Sequence, residues 1–171
     1  MRSSPIVLVT LLAVGVGCSA QVGEGDVGQS NEAVGAGLVY NFGTLAHPGS
    51  CMDAFAAGTA DGTQIQEYAC NGTGAQSFAL QSAGSGVYNL VNTNANRCVD
   101  VNAAGTANGT KVQLWDCNGT GAQQWRWRNQ NRLVNPQSGR CLDVTNGSTA
   151  DGTRLQIWDC NGTAAQAWYL P

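Results

Sequence analysis

Charge is scarce in this chain. Of its 171 residues only 11% are Asp, Glu, Lys or Arg, and 8 basic against 11 acidic side chains leave a net charge of −3. No stretch gathers lysine and arginine. That excludes a nucleic-acid partner and direct binding to an anionic membrane, both of which need clustered cations. Histidine is scarcer still, with His47 the single one, in a His-Pro-Gly loop. There is also no Cys-x-x-Cys, so no zinc ligand set can be assembled and no metal or other cofactor is expected. Nucleophile–base catalysis is equally poorly served. Beyond the N-terminus no long apolar stretch has a 3.6-residue period, while glycine, at 23 residues, is abundant. Short strands and many turns are the expectation.

The N-terminus has a different character. Arg2 supplies a positive start, Ile6 to Val16 an apolar run too short to span a bilayer, and small residues follow. This reads as an export signal over residues 1–20. Two cleavage patterns fit it. Gly15-Val16-Gly17-Cys18 resembles a bacterial lipobox, which would make Cys18 a lipidated first residue. Ordinary cleavage after Ala20 would discard Cys18 instead. Residues 21–38 are Gly-rich, acidic and nearly free of large apolar groups, as in a flexible tether. The expected protein is exported, either as a cell-envelope lipoprotein or in secreted form, with a folded domain over residues 39–171.

Within that domain one segment occurs three times. A Cys-x-Asp begins at Cys51, Cys98 and Cys141; a second cysteine follows nineteen positions later at Cys70, Cys117 and Cys160; a glutamine follows six beyond that, at Gln76, Gln123 and Gln166. Such self-similarity is the mark of one supersecondary unit repeated three times, over about 39–84, 85–129 and 130–171. The seventh cysteine is Cys18. Six cysteines allow many connectivities, but if every unit folds alike each closes its own loop: Cys51 with Cys70, Cys98 with Cys117, Cys141 with Cys160. Each bridge would contribute about 3 kcal/mol in the chain-entropy picture.

The parity of the second unit divides its residues between two faces. Arg97-Cys-Val-Asp-Val101 and Val112-Gln-Leu-Trp-Asp-Cys117 alternate with period two, so both read as strands. Val99, Val101, Val112 and Leu114 share one face and are assigned to the core, while Cys98, Asp100, Gln113, Trp115 and Cys117 share the other. The third unit repeats this, with Asp143, Gln156 and Trp158 beside its cysteines, and the first follows with Asp53, Gln66 and Tyr68. The first unit departs at Glu67, a charge where Leu114 and Ile157 stand in its sisters, costly unless it lies at a rim. An aromatic beside an acid and an amide suits a sugar. The ring stacks on the C–H face of a pyranose, and the carboxylate accepts from hydroxyls in strong charge-assisted hydrogen bonds. Phe78, Trp125 and Trp168, one per unit after the glutamine, are read as core filling. Asn71, Asn108, Asn118, Asn146 and Asn161, each opening an Asn-x-Ser/Thr, are read as turn residues.

Taken together, Cys98-Val-Asp, Val112-Gln-Leu-Trp-Asp-Cys117 and Gln123-Gln-Trp125 resemble the ricin B-type β-trefoil lectins. Their counterparts in the third unit do so as well, and the resemblance runs from about Tyr40 to Pro171. It implies an all-β trefoil of three four-strand repeats about a pseudo-threefold axis, with one disulfide and one shallow sugar site per repeat. The implied sugar contacts are Asp100, Gln113 and Trp115; Asp143, Gln156 and Trp158; and, in the divergent first repeat, Asp53, Gln66 and Tyr68. Galactose-binding members also use an asparagine immediately before the glutamine of Gln-x-Trp. This chain has Ala75, Ala122 and Ala165 there, and Asn71, Asn118 and Asn161 on the same loops are the candidate substitutes.

The function expected is that of a monomeric, non-catalytic carbohydrate-binding protein. Its partner would be a polysaccharide or glycan, galactose- and xylose-containing polymers among them, and any membrane association would run through the lipid anchor. A trefoil that binds proteins, such as a protease inhibitor or an envelope interaction module, is the competing class. It would use its loops and leave the aromatic sites dispensable.

Overall fold

A computed structural model describes residues 39–40, 42–128 and 131–170. The export signal, Cys18 and the tether lie outside the described residues. Strands dominate, in the order β1 (Val39–Tyr40), β2 (Gly43–Thr44), β3 (Ser50–Ala54), β4 (Ile65–Ala69), β5 (Phe78–Gly84), β6 (Val87–Asn92), β7 (Arg97–Val101), β8 (Val112–Trp115), β9 (Arg126–Arg128), β10 (Arg132–Asn135), β11 (Arg140–Val144), β12 (Thr153–Trp158) and β13 (Trp168–Tyr169). The only helical segments among the described residues are six single 3₁₀ turns, two per repeat. β1 and β2 together occupy the place taken by β6 and by β10 in the other two repeats. The fold is therefore the expected trefoil of four-strand units, with the first strand divided.

The repeats pass hydrogen bonds around the axis in one direction. The hairpin between β3 and β4 reaches the second repeat, where Gly62 N donates to Leu114 O at 2.8 Å and Leu114 N to Thr63 O at 2.8 Å. The equivalent hairpin of the second repeat reaches the third, with Gly109 N to Ile157 O and Ile157 N to Thr110 O, both 2.9 Å. The third closes the circle on the first through Gly152 N to Glu67 O at 2.8 Å, and β12 pairs β4 with Arg154 opposite Gln66. Gly62, Gly109 and Gly152 all have positive φ, between 82° and 84°. That conformation is cheap for glycine, and it turns each amide toward the neighbouring repeat.

The core lies where parity assigned it. Val99, Val101, Val112 and Leu114, with Leu142, Val144, Leu155 and Ile157, are 1% exposed or less. Phe78, Trp125 and Trp168 are fully buried beside them, one from each repeat. Both indoles satisfy their N–H groups, Trp125 Nε1 on Val99 O at 3.0 Å and Trp168 Nε1 on Leu142 O at 3.1 Å. Phe42 packs edge-on to Phe78 and to Trp127, ring centroids 6.2 Å apart in each case.

The disulfides join Cys51 to Cys70, Cys98 to Cys117 and Cys141 to Cys160, with Cα–Cα separations of 5.1, 5.1 and 5.2 Å. Each bridges the open end of a hairpin, directly beneath its aromatic residue: Cys51 is opposite Tyr68, Cys98 opposite Trp115, Cys141 opposite Trp158.

Glu67 is not at a rim. Its side chain is fully buried, with Oε1 3.2 Å from His47 Nδ1, which also lies 2.8 Å from Ser50 Oγ; Glu67 Oε2 has no partner. The lone histidine thus serves a buried acid. Burial still outweighs this help and raises the Glu67 pKa above its usual 4.5. Replacing a buried, half-satisfied carboxylate by an apolar group is commonly neutral or stabilising. Glu67→Leu, matching Leu114, is expected to raise stability by about 1 kcal/mol at neutral pH, read by urea unfolding. The sign with pH follows from the raised pKa. Native Glu67 is better tolerated when protonated, so the advantage of Glu67→Leu should grow as pH rises through and beyond 4.5 and shrink in acid.

Candidate functional site

Each repeat forms one cleft from the same parts. Antiparallel register sets the acid opposite the amide: Asp53 faces Gln66 across β3–β4, Asp100 faces Gln113 across β7–β8, and Asp143 faces Gln156 across β11–β12. In every pair the glutamine Nε2 donates to the aspartate Oδ1, at 2.9, 3.1 and 2.9 Å. Two residues along from each glutamine the aromatic emerges: Tyr68, Trp115 and Trp158 are 38%, 40% and 40% exposed.

The acid and amide are less accessible than a shared outward face suggested. Asp53, Asp100 and Asp143 are each 5% exposed, and Gln66, Gln113 and Gln156 no more than 6%. The reason is the 3₁₀ turn that follows the acid-bearing strand. Ala56 and Ala57, Ala103 and Ala104, and Asn146 and Gly147 line the three clefts in turn. Polar groups sit at the bottom, one large ring stands to the side, and the turn forms the opposite wall. Clefts one, two and three enclose ≈ 430, ≈ 390 and ≈ 430 Å³, at the small end of the usual range for small-molecule sites.

A second amide belongs to this arrangement, and parity did not reveal it. The glutamine of Gln-x-Trp is fully buried: Gln123 Nε2 donates to Asp100 Oδ2 at 3.1 Å and to Asp116 O at 2.8 Å, and its Oε1 accepts from Asn118 N at 2.9 Å. Gln166 does the same for Asp143 Oδ2, Asp159 O and Asn161 N, each within 3.0 Å. Gln76 holds Ala69 O and Asn71 N. In the second and third clefts both carboxylate oxygens therefore carry an amide donor. Burial raises the pKa of all three aspartates, and the amides partly offset it. The signal in the sequence was the recurrence of a glutamine two positions before a core aromatic, because a buried amide must have partners.

Asn71, Asn118 and Asn161 each line a cleft, and each uses Oδ1 to accept from the backbone N–H and hydroxyl of the threonine two residues on, at 2.7–3.1 Å. With Oδ1 committed, what each can offer a ligand is its Nδ2 donor. Ala75, Ala122 and Ala165 also line the clefts and present no polar atom beyond the backbone.

The clefts differ at the far side of the strand glutamine. Asn102 Nδ2 donates to Gln113 Oε1 at 2.8 Å in the second cleft, and Lys111 Nζ to Gln156 Oε1 at 3.1 Å in the third. In the first, Phe55 replaces Asn102, and Gln66 Oε1 is buried without a partner. Phe55 is 55% exposed and shares that cleft with Tyr68, giving the first site two exposed rings and a weaker polar frame. No group of three or more His, Cys, Asp or Glu side chains gathers as metal ligands among the described residues.

A threefold β-structure carrying one such cleft per repeat defines the β-trefoil lectin architecture. The family model described as the ricin-type beta-trefoil lectin domain matches residues 40–168, and the chain belongs to that family of carbohydrate-binding domains. None of the curated proteins compared with the chain matches it. Among solved structures it is similar to the designed threefold-symmetric protein ThreeFoil, with 32% identity over 77% of this chain and 96% of that one and a TM-score of 0.74. It is also similar to an exo-beta-1,3-galactanase from Clostridium thermocellum, with 25% identity and a TM-score of 0.73; 77% of this chain is covered but only 29% of the galactanase. The Rhizoctonia solani agglutinin shares the fold at 20% identity, over 77% of this chain and 92% of the agglutinin, with a TM-score of 0.68.

The cleft walls carry a testable strain. Ala103 and Ala104 both have φ of 52°, as do Ala56 and Ala57, whereas the third repeat places Asn146 and Gly147 at the same positions with φ of 59°. A left-handed alanine costs roughly 1–2 kcal/mol, and glycine gives back part of that gain as unfolded-state entropy. Ala104→Gly is therefore expected to raise stability by about 0.5 kcal/mol. A drop in the denaturation midpoint would contradict the assignment of strain.

Proposed function

We propose that this chain is an exported, non-catalytic carbohydrate-binding protein with up to three shallow sugar sites. The observation that carries this reading is the exposed ring beside a buried Asp–Gln pair, present in every repeat. Tyr68, Trp115 and Trp158 would stack on the C–H face of a sugar. Asp53, Asp100 and Asp143 would accept from its hydroxyls, with Gln66, Gln113 and Gln156 holding each carboxylate in place and Asn71, Asn118 and Asn161 offering an accessory donor. Each cleft contains one carboxylate among its lining residues. Glycoside hydrolysis by the usual route needs two carboxylates flanking one bond, which supports binding without catalysis. A single shallow site holds a sugar weakly; several on one rigid body gain avidity on a polymer. Polysaccharides are the partner favoured by that arrangement, with galactose- or xylose-containing polymers the first to try. The alanines at 75, 122 and 165 favour a mode of recognition that differs from the usual galactose contact.

Retention on insoluble polysaccharides, released by free monosaccharide, tests the function. Trp115→Ala combined with Trp158→Ala is expected to lower retention at least tenfold, since each lost stacking platform costs about 1 kcal/mol and avidity falls with it. The thermal midpoint should change little, because both rings are largely outside the core. Undiminished retention in the double variant would overturn the site assignment and favour a protein-binding trefoil.

Binding should also fade on acidification at a pH above 3.8, the ordinary aspartate value, because burial raises the pKa of the three carboxylates and protonation removes an acceptor from each cleft. Retention that persists unchanged well below pH 3.8 would exclude these carboxylates as contacts. Export through a lipid anchor predicts that Cys18→Ala moves the protein from the membrane fraction to the soluble one. An unchanged distribution would favour ordinary cleavage after Ala20.

A further inference from the structure

The trefoil closure sets a residue of the preceding repeat opposite each strand glutamine, and these three residues differ. The residue two positions before each strand glutamine bridges to the strand glutamine of the next repeat: Gln64 opposite Gln113, Lys111 opposite Gln156, and Arg154 opposite Gln66. The residue opposite the strand glutamine is thus an amide at the second cleft and a cation at the third and first. In the third cleft the cation is held in place. Lys111 Nζ donates to Gln156 Oε1 and to Thr145 Oγ1, both at 3.1 Å, and Thr145 Oγ1 in turn donates to Arg154 O at 2.6 Å. An ammonium has three hydrogens, so these two bonds leave one donor on Lys111, beside the cleft-lining Gln156. Gln156 lines the cleft, and a Cβ on Gly109, two residues before Lys111, would lie 3.8 Å from the Trp158 ring. The lysine-bearing segment therefore borders the stacking platform.

Neighbouring charges sharpen the contrast. Position 61 of the first repeat, 108 of the second and 151 of the third are equivalent, and they read Asp, Asn and Asp. Asp61, whose carboxylate lies 2.8 Å from Arg97 Nε, also raises the pKa of Asp100 in the second cleft, and Asp151 that of Asp53 in the first. The third cleft has the neutral Asn108 instead, and the charge of Asp143 faces Lys111. Both Asp143 oxygens already accept from Gln156 and Gln166.

We propose that Lys111, supplied by the second repeat, makes the third cleft selective for acidic saccharides, with its ammonium taking a sugar carboxylate while Trp158 stacks on the ring. This rests on the carbohydrate-binding reading of the same cleft. The second cleft, bordered by Gln64, Asn102 and Asp61, takes neutral sugars.

The test uses full-length protein with one cleft left intact. Tyr68→Ala with Trp115→Ala retains the third, and Tyr68→Ala with Trp158→Ala retains the second. The probes are glucuronate and galacturonate trisaccharides and their uncharged methyl esters, titrated by calorimetry. The third-cleft variant is expected to bind the acid about fivefold more tightly than the ester at low ionic strength. That preference should vanish in about 1 M salt, where the screening length falls to ~3 Å. The second-cleft variant should show no preference for the acid. Adding Lys111→Gln to the third-cleft variant should bring the acid-to-ester ratio to about one. A ratio of one or less before that substitution, a preference that survives it, or binding of neither probe would overturn the inference. Retention on neutral polysaccharides lost with Trp115 and Trp158 would leave the general reading standing in each of those cases; absence of that retention as well would remove both.

Discussion

The constraint on which the rest depends is the closed circuit of backbone hydrogen bonds between repeats. A single hairpin cannot bury its apolar face alone, and these repeats solve the problem by lending each hairpin tip to the next unit: Gly62 to Leu114, Gly109 to Ile157, Gly152 to Glu67. Because the circuit closes, the inward faces of β3, β4, β7, β8, β11 and β12 converge on one axis. Phe78, Trp125 and Trp168 meet in the same core cluster. The same closure sets the clefts apart on the outside, one to a repeat.

The clefts show how a polar site is built on a small β-frame. An aspartate exposed on a strand would be solvated and mobile. Here the carboxylate is sunk beneath a 3₁₀ turn and bound by the facing glutamine, and in the second and third repeats by the Gln-x-Trp glutamine as well. Burial penalises the charge, and the amides partly repay that cost. The remaining lone pairs face a cleft with defined direction, which suits recognition of hydroxyls. The disulfide beneath each ring closes the hairpin at the point where the aromatic leaves the core, so ring and acid share one stiff ladder.

Departures from threefold symmetry fall where they alter chemistry. Glu67 interrupts the first repeat's apolar face, and the structure answers it with His47, leaving one oxygen unpaired. Phe55 in place of Asn102 leaves Gln66 Oε1 without a donor and adds a second exposed ring. Lys111 fills the same need in the third cleft with a charged group. Three equivalent sites thus carry three different polar frames around similar aromatic platforms.

Much of this was legible in the residues alone. Period-two alternation separated Val99 and Leu114 from Asp100 and Trp115, because the pleat enforces it, and the repeated nineteen-residue cysteine spacing implied within-repeat bridges. Side-chain parity along a strand is a local property, so sequence suffices to read it. Depth is not local. Nothing along the chain states that Asp100 lies under Ala103 and Ala104, that Gln123 returns to the carboxylate from 23 residues away, or that Glu67 meets a histidine 20 residues earlier. Least legible was the traffic between repeats. Lys111 belongs by sequence to the second unit but hydrogen-bonds in the third cleft, 45 residues on, because only the closed ring of repeats brings them together.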